Sequence, residues 1–204
     1  MKKVEHGKTF DRNAANPPAF EIFHNTVTEG YPKHWHTAIE IIMPTRGEYE
    51  VVVGKDSYNL KEGDIIMINS GVVHGMRFVS QGERIVMLVE PGCVENQEEM
   101  ETIFLRLPAI YFKKEDEEDP FYLFLRSQIL ELVREYDNEG AVMTHRICTG
   151  LKELFSEFGR KGFSDANAQN TFGAMKQQEY IEAVLSALPL YQCPLHGRIF
   201  LSRK

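Results

Sequence analysis

The stretch HWHTAIEIIM, residues 34–43, decides both the expected fold and the expected site. In an extended strand, side chains alternate between two faces, so residues 34, 36, 38, 40 and 42 are predicted to share one face. That face carries His34, His36 and Glu40. Two imidazoles and a carboxylate supply the nitrogen and oxygen donors that suit a divalent first-row metal ion.

A fourth donor is available from His74, which follows the bend at Ser70-Gly71. Antiparallel pairing would bring it across from the first strand. The predicted metal ligands are therefore His34, His36, Glu40 and His74, and the same four residues are predicted to contact a bound small molecule. The alternative is a polar barrel mouth, in which the two imidazoles of residues 34 and 36 bind water and backbone while the carboxylate pairs with a cation. No catalytic residue is identified from the sequence.

The sequence on either side of this stretch is typical of an all-β fold. Between about residues 20 and 90, turn signals separate runs rich in Ile and Val, at 38–43, 49–53, 65–68 and 84–89. Such residues suit a half-buried pleated surface, and short, regularly spaced strands indicate a sandwich or a barrel.

The composition changes to a helical pattern after Pro91-Gly92. A helix is predicted over 94–107, and a second begins where Asp119 caps and Pro120 occupies the first turn. A third follows Gly140. The apolar stripes of the second and third helices are Phe121, Leu125, Ile129, Leu132, Val133 and Tyr136, then Met143, Ile147, Leu151, Leu154, Phe155 and Phe158. These stripes predict a helical hairpin that either covers one face of the barrel or pairs with a second copy.

Composition limits the classes of function. The chain has 204 residues, 43% hydrophobic and 26% charged, which excludes wholesale disorder and a membrane bundle. Its formal charge of −7 disfavours unguided binding to nucleic acid or anionic lipid. Three scattered cysteines (Cys93, Cys148 and Cys193) and an amino terminus without an apolar core favour the cytoplasm.

The two clusters around the predicted ligands resemble the paired motifs of the cupin superfamily. The first motif is matched by Gly30, His34, His36, Glu40 and Gly47, and the second by Gly63, Gly71 and His74. The spacing after Gly30 is two residues shorter than the family pattern, and Asn69 and Phe78 stand where that pattern has Pro and Asn. The resemblance implies a double-stranded β-helix (jelly-roll) barrel, mainly β with a C-terminal α part, and a divalent metal such as Zn, Ni, Fe or Mn.

The order of barrel, acidic segment and helical pair is similar to the sensor half of AraC-type transcription regulators. The resemblance implies a cupin barrel with an amino-terminal arm at 1–92, a helical dimerisation region at 93–163 and a truncated remnant of a helix-turn-helix reader domain at 174–204. The cause of that truncation is left open. It also implies a small-molecule effector and a homodimer through helices 121–138 and 141–158, without direct nucleic-acid or membrane binding. The alternative function is a stand-alone metal-dependent cupin enzyme, a dioxygenase or an isomerase.

Overall fold

The computed structural model describes residues 20–27, 30–91, 109–114, 118–138, 140 and 142–161. The helix predicted over 94–107 and the remnant predicted at 174–204 lie outside these residues, as do the amino-terminal arm, Cys93 and Cys193. The described strands are β1 (Phe20–Val27), β2 (Tyr31–His34), β3 (Ile39–Arg46), β4 (Tyr49–Val53), β5 (Asp56–Leu60), β6 (Ile65–Ile68), β7 (His74–Phe78), β8 (Gly82–Val89) and β9 (Ala109–Phe112). Two helices follow, α1 (Pro120–Asp137) and α2 (Met143–Lys161).

The strands form two antiparallel sheets that enclose a buried interior. One sheet has the order β1-β8-β3-β6-β9 and the other has the order β2-β7-β4-β5. Both sheets contribute to one apolar cluster, whose members include Ile42, Val51, Leu60, Ile66 and Val86. This arrangement confirms the mainly β, jelly-roll barrel followed by two helices that the sequence predicted.

The five-stranded sheet is buried on both faces, which explains its nearly continuous apolar sequence. On β3, Ile42 faces the barrel interior, whereas Ile39 and Ile41 face the helices. The same alternation holds on β6 and β8. The strand predictions at 49–53 and 65–68 match β4 and β6, and those at 38–43 and 84–89 fall on β3 and β8.

Strand β9 lies within the range 93–163 that was expected to be helical. Its four residues pair with β6 from Ile65↔Phe112 to Ile68↔Ala109, so this part of the prediction needs correction. Burial alternates along the strand, with Ile110 and Phe112 inside the cluster between sheet and helices. Such a short run at a sheet edge has too few residues to give a reliable period, which is why the pattern missed it.

The two helices cover the outer face of the five-stranded sheet. All twelve stripe residues named above lie in, or pack against, the cluster that contains Ile39, Ile41 and Met87. Helix α1 begins as predicted, because the Asp119 side chain accepts a hydrogen bond from the backbone N–H of Phe121 at 2.9 Å. No described helix is both long and apolar enough to cross a membrane.

The tight turn between β5 and β6 contacts the first turn of α1. Gly63 adopts φ +86°, a conformation that a side chain would strain, and its carbonyl accepts a hydrogen bond from the Tyr122 hydroxyl at 2.8 Å. The next residue, Asp64, accepts hydrogen bonds from the backbone N–H groups of Lys61 and Lys114 and from the Tyr111 hydroxyl. This turn therefore connects β6, β9 and α1.

Candidate metal centre

His34 and His74 meet because their strands pair. In the antiparallel pair β2 and β7 they are register partners, so both side chains lie on the same face of the sheet. Both are buried, and their ring centroids are 4.4 Å apart. The pairing that the sequence suggested for His74 is therefore present.

His36 and Glu40 reach the interior by a different route from the one expected. Residues 34–42 were predicted to form one strand, but β2 ends at His34 and β3 begins at Ile39 in the other sheet. His36 lies in the segment that crosses between the sheets, where its carbonyl accepts a hydrogen bond from the N–H of Gly71 at 2.8 Å. The donors therefore converge through closure of the barrel and not through the alternation of a single strand.

Each of the three imidazole rings is held by its backbone surroundings. The Nδ1–H of each ring donates to the carbonyl of a residue two positions away: His34 to Pro32 at 2.9 Å, His36 to Ala38 at 2.9 Å, and His74 to Val72 at 2.8 Å. A donating Nδ1 leaves Nε2 as the remaining ring nitrogen of each imidazole. Hydrogen bonds of this kind fix the tautomer and orientation of metal-binding histidines.

The carboxylate of Glu40 lies at the centre of this group. Its Oε2 is 2.9 Å from Nε2 of His36 and 2.8 Å from Nε2 of His74. Because Nδ1 of each ring already donates to a carbonyl, each of these contacts needs a second ring proton to be a hydrogen bond. One divalent cation carries the charge of two such protons, and it would bind the same oxygen and nitrogens directly.

The buried surroundings shift the pKa values of His34, Glu40 and His74. Burial, and then the charge of His74, lower the pKa of His34 to about 4. Burial opposes ionisation of Glu40, but the charge of His74 and the hydrogen bonds from His36 and His74 hold its pKa well below the usual range. Burial likewise opposes the charge of His74, but the carboxylate of Glu40 outweighs it and raises the pKa of His74.

The donor set fits a divalent first-row ion. The ligand atoms of His34, His36, Glu40 and His74 all lie within 4.8 Å of one another, and all four residues are buried. Metal–nitrogen and metal–oxygen bonds of about 2.0–2.2 Å place ligand atoms roughly 3–4 Å apart around one ion, so small side-chain movements would complete the shell. Three imidazoles and a carboxylate leave positions for an added ligand when the ion prefers more than four.

Two aromatic residues and one cation inside the barrel were missed by sequence reasoning. Arg84 is 1% exposed and lies beside the rings of Tyr31 and Tyr49. The sequence does indicate this interior position. Side chains alternate along β8, and Arg84 lies two residues before Val86 and four before Leu88, which both face the interior. Arginine is mostly exposed in folded proteins, so its residue type favours the surface and not the interior.

Comparison with known proteins agrees with this architecture. The family model of the cupin domain matches residues 25–90, so this part of the chain is similar to a cupin domain. No curated protein matches the chain significantly.

Similar solved structures are distant. A conserved protein of unknown function from Streptococcus pyogenes is 18% identical, with 35% of this chain and 63% of that chain covered, at a TM-score of 0.32. A ToxT variant from Vibrio cholerae is 12% identical, with 84% and 66% covered, at a TM-score of 0.48. Oxalate decarboxylase from Bacillus subtilis, whose Mn(II) centres were studied, is 18% identical, with 35% and 21% covered, at a TM-score of 0.32. This chain thus spans less than two thirds of the length of each, and similarity of this extent carries no information about activity or ligand.

Proposed function

We propose that the barrel holds one divalent metal ion (Zn, Ni, Fe or Mn) on His34, His36, Glu40 and His74 and binds a small-molecule effector there. The observation that carries this proposal is the convergence of four buried donor atoms within 4.8 Å, with all three Nδ1 atoms engaged by backbone carbonyls. When bound, such an ion supplies positive charge and open coordination positions for an oxygen or nitrogen ligand.

The wall of the barrel supports a sensing role. Glu40 faces the site, while its neighbours Ile39 and Ile41 on β3 pack in the cluster shared with α1 and α2. A ligand that moves Glu40 therefore acts on the strand against which the helices pack. It would shift their packing only by binding one arrangement more tightly than another.

The biological setting we propose is the small-molecule-sensing cupin domain of an AraC-type transcription regulator. The order of barrel and helical pair, and the similarity of residues 34–89 and 121–158 to the sensor half of such regulators, support this proposal. In it, residues 1–92 supply the barrel and arm, 93–163 supply the dimerisation region, and 174–204 belong to the reader domain.

A second candidate function is a stand-alone metal-dependent cupin enzyme, such as a dioxygenase or an isomerase. The complete set of four donors favours it, because an ion with open positions is also what such chemistry requires. Among the described residues, however, the other buried acid is Asp64, whose carboxylate is engaged by three hydrogen-bond donors. With no further acid or base beside the ligands in this part of the chain, binding is the better-supported function.

Metal analysis of the full chain, purified without a metal-affinity tag, tests the proposal. We expect about one ion per chain in the wild type and in the control His145→Ala, which removes an exposed histidine on α2. His36→Ala and the more conservative Glu40→Gln each remove a donor, so metal affinity should fall by more than about 100-fold. Circular dichroism would establish that both variants fold. Equal metal content in all four proteins would contradict the proposed site.

Effector binding is tested separately, by thermal-shift screening of the metal-loaded protein against sugars, organic acids and aromatic metabolites. A ligand that stabilises the wild type but not Glu40→Gln supports the barrel as the binding site. Turnover of a stabilising ligand would favour the enzyme instead. Ligands that are indifferent to the substitution would contradict a barrel sensor.

A further inference from the structure

Arg84 is a buried cation without a carboxylate partner among the described residues. Its side chain is 1% exposed, its Nη1 contacts the thioether sulfur of Met76 at 2.6 Å, and it also forms a hydrogen bond with the side chain of Tyr31. A thioether is a weak acceptor. Burial lowers the pKa of Arg84, although a guanidinium stays protonated in proteins. Burying a charge whose hydrogen-bond donors are only partly satisfied is unfavourable, so the arrangement needs an explanation.

Two neighbouring side chains at this place each carry an unsatisfied polar atom. Neither Nε of Arg84 nor the hydroxyl of Tyr49 has a hydrogen-bond partner in the described part of the chain, and both are inaccessible to solvent. The guanidinium carbon is 5.4 Å from the ring centroid of Tyr49 and 5.1 Å from that of Tyr31. Both unsatisfied groups can donate a hydrogen bond, so what the site lacks is an acceptor, and the adjacent positive charge favours an anion.

The position of Arg84 relates it to the candidate metal centre. Its contact residue Met76 follows His74 by two positions on β7, and both side chains face the barrel interior. Two residues of a strand span roughly 7 Å. A short organic acid could therefore reach from the metal ligands to the guanidinium.

We propose that Arg84, with the Tyr49 hydroxyl and the ring of Tyr31, forms a carboxylate-binding subsite in the barrel, so that the effector is a short-chain dicarboxylic or oxo acid. This inference rests on the proposed binding of a small molecule at the barrel site. Met76 occupies the acceptor position, and its flexible, unbranched side chain can give way to a carboxylate oxygen.

The test compares binding of succinate with binding of the uncharged analogue succinamide by calorimetry, using the full chain with and without Zn²⁺. We expect the wild type to prefer succinate and Arg84→Met to bind it at least tenfold more weakly. The control Arg77→Met removes an exposed arginine from β7 that pairs with Glu50, and it should leave succinate affinity within about twofold. Zn²⁺ content should be the same in all three proteins.

Thermal stability separates a ligand-binding role from a structural one. Replacing an unpaired buried charge by an apolar side chain of similar length is often neutral or stabilising. Arg84→Met should therefore melt at or above the wild-type temperature without ligand and lose the shift that succinate causes. A variant that melts well below the wild type while binding succinate normally would overturn the subsite.

The two proposals fail in different ways. Wild-type protein that binds Zn²⁺ stoichiometrically but does not distinguish succinate from succinamide would overturn the subsite and leave the metal centre intact. Protein that binds no metal but still prefers succinate, with the preference lost in Arg84→Met, would support the subsite and contradict the metal centre.

Discussion

At the scale of single residues, the candidate centre is built from imidazoles in different protonation environments. His34 has a pKa of about 4, so it is neutral near pH 7 and its Nε2 is free to bind a metal. His74 has a raised pKa because the carboxylate of Glu40 outweighs the effect of burial. A metal ion arriving at Glu40 therefore competes with the proton on His74 but not with one on His34.

This difference predicts how metal affinity depends on pH. Metal ligands must be deprotonated, so each displaced proton lowers the apparent affinity by about tenfold for each pH unit below the pKa of the group. Because the pKa of His74 is raised above 6.5, the affinity for Zn²⁺ should fall as the pH is lowered from 8 to 6. Competition with a chromogenic chelator at pH 6, 7 and 8 measures the affinity for Zn²⁺ at each pH. Constant affinity across this range would show that no ligand proton is displaced.

At the scale of elements, the cap of α1 fixes where the helix begins relative to the barrel. Asp119 satisfies the N–H of Phe121, and one turn of chain further on the Tyr122 hydroxyl binds the carbonyl of Gly63. The cap and this hydrogen bond hold the first turn of the helix against the turn that precedes β6. The apolar stripe beyond them then packs on the sheet without a change of direction.

Loss of this cap should measurably destabilise the protein. Asp119→Ala removes the acceptor for the Phe121 N–H and should cost about 1 kcal/mol, as N-cap substitutions typically do. The matched control Glu118→Ala removes the same charge from the adjacent exposed position, outside the helix. Urea denaturation, monitored by circular dichroism, gives the free energy of unfolding of each variant. Equal destabilisation by the two substitutions would mean that the effect arises from charge and not from capping.

Elements with a long or motif-bearing sequence pattern could be predicted, and the others could not. The stripes on α1 and α2 repeat over several turns, so each helix is visible from its own residues. The four candidate donors were identifiable because His34, His36 and Glu40 are close in sequence and His74 follows a glycine bend. The crossing between β2 and β3 was not visible, since a period of two does not tell which sheet a strand joins. The four-residue strand β9 was too short to show a period.

At the scale of the whole molecule, the five-stranded sheet separates the interior of the barrel from the apolar core beneath the two helices. One face lines the barrel with Glu40 and Arg84, and the other packs against α1 and α2. The sequence left open whether the apolar stripes of the two helices cover the barrel or form a dimer interface. In the structure, these stripes cover the barrel. A homodimer through helices 121–138 and 141–158 therefore has to use surfaces that the stripes leave exposed.

On α1, that outward surface carries Leu123 and Leu130, which are 48% and 40% exposed. They are seven residues apart, so they lie on one face of the helix, about two turns from each other. Apolar side chains at this spacing suit a pairing with the same helix of a second copy. The predicted homodimer remains a prediction, and these two residues are where it is tested.

The double substitution Leu123→Glu/Leu130→Glu should convert the dimer to a monomer, because it places like charges opposite each other in the interface. We expect sedimentation to show a dimer for the wild type and a dissociation constant raised at least tenfold for the variant. The control Lys55→Glu changes the net charge by the same two units at an exposed turn of the barrel, outside α1, and should stay dimeric. An unchanged melting temperature of the metal-loaded variant would show that its barrel is intact. A wild type that sediments as a monomer, or a variant that remains a dimer, would exclude this face of α1 as the interface.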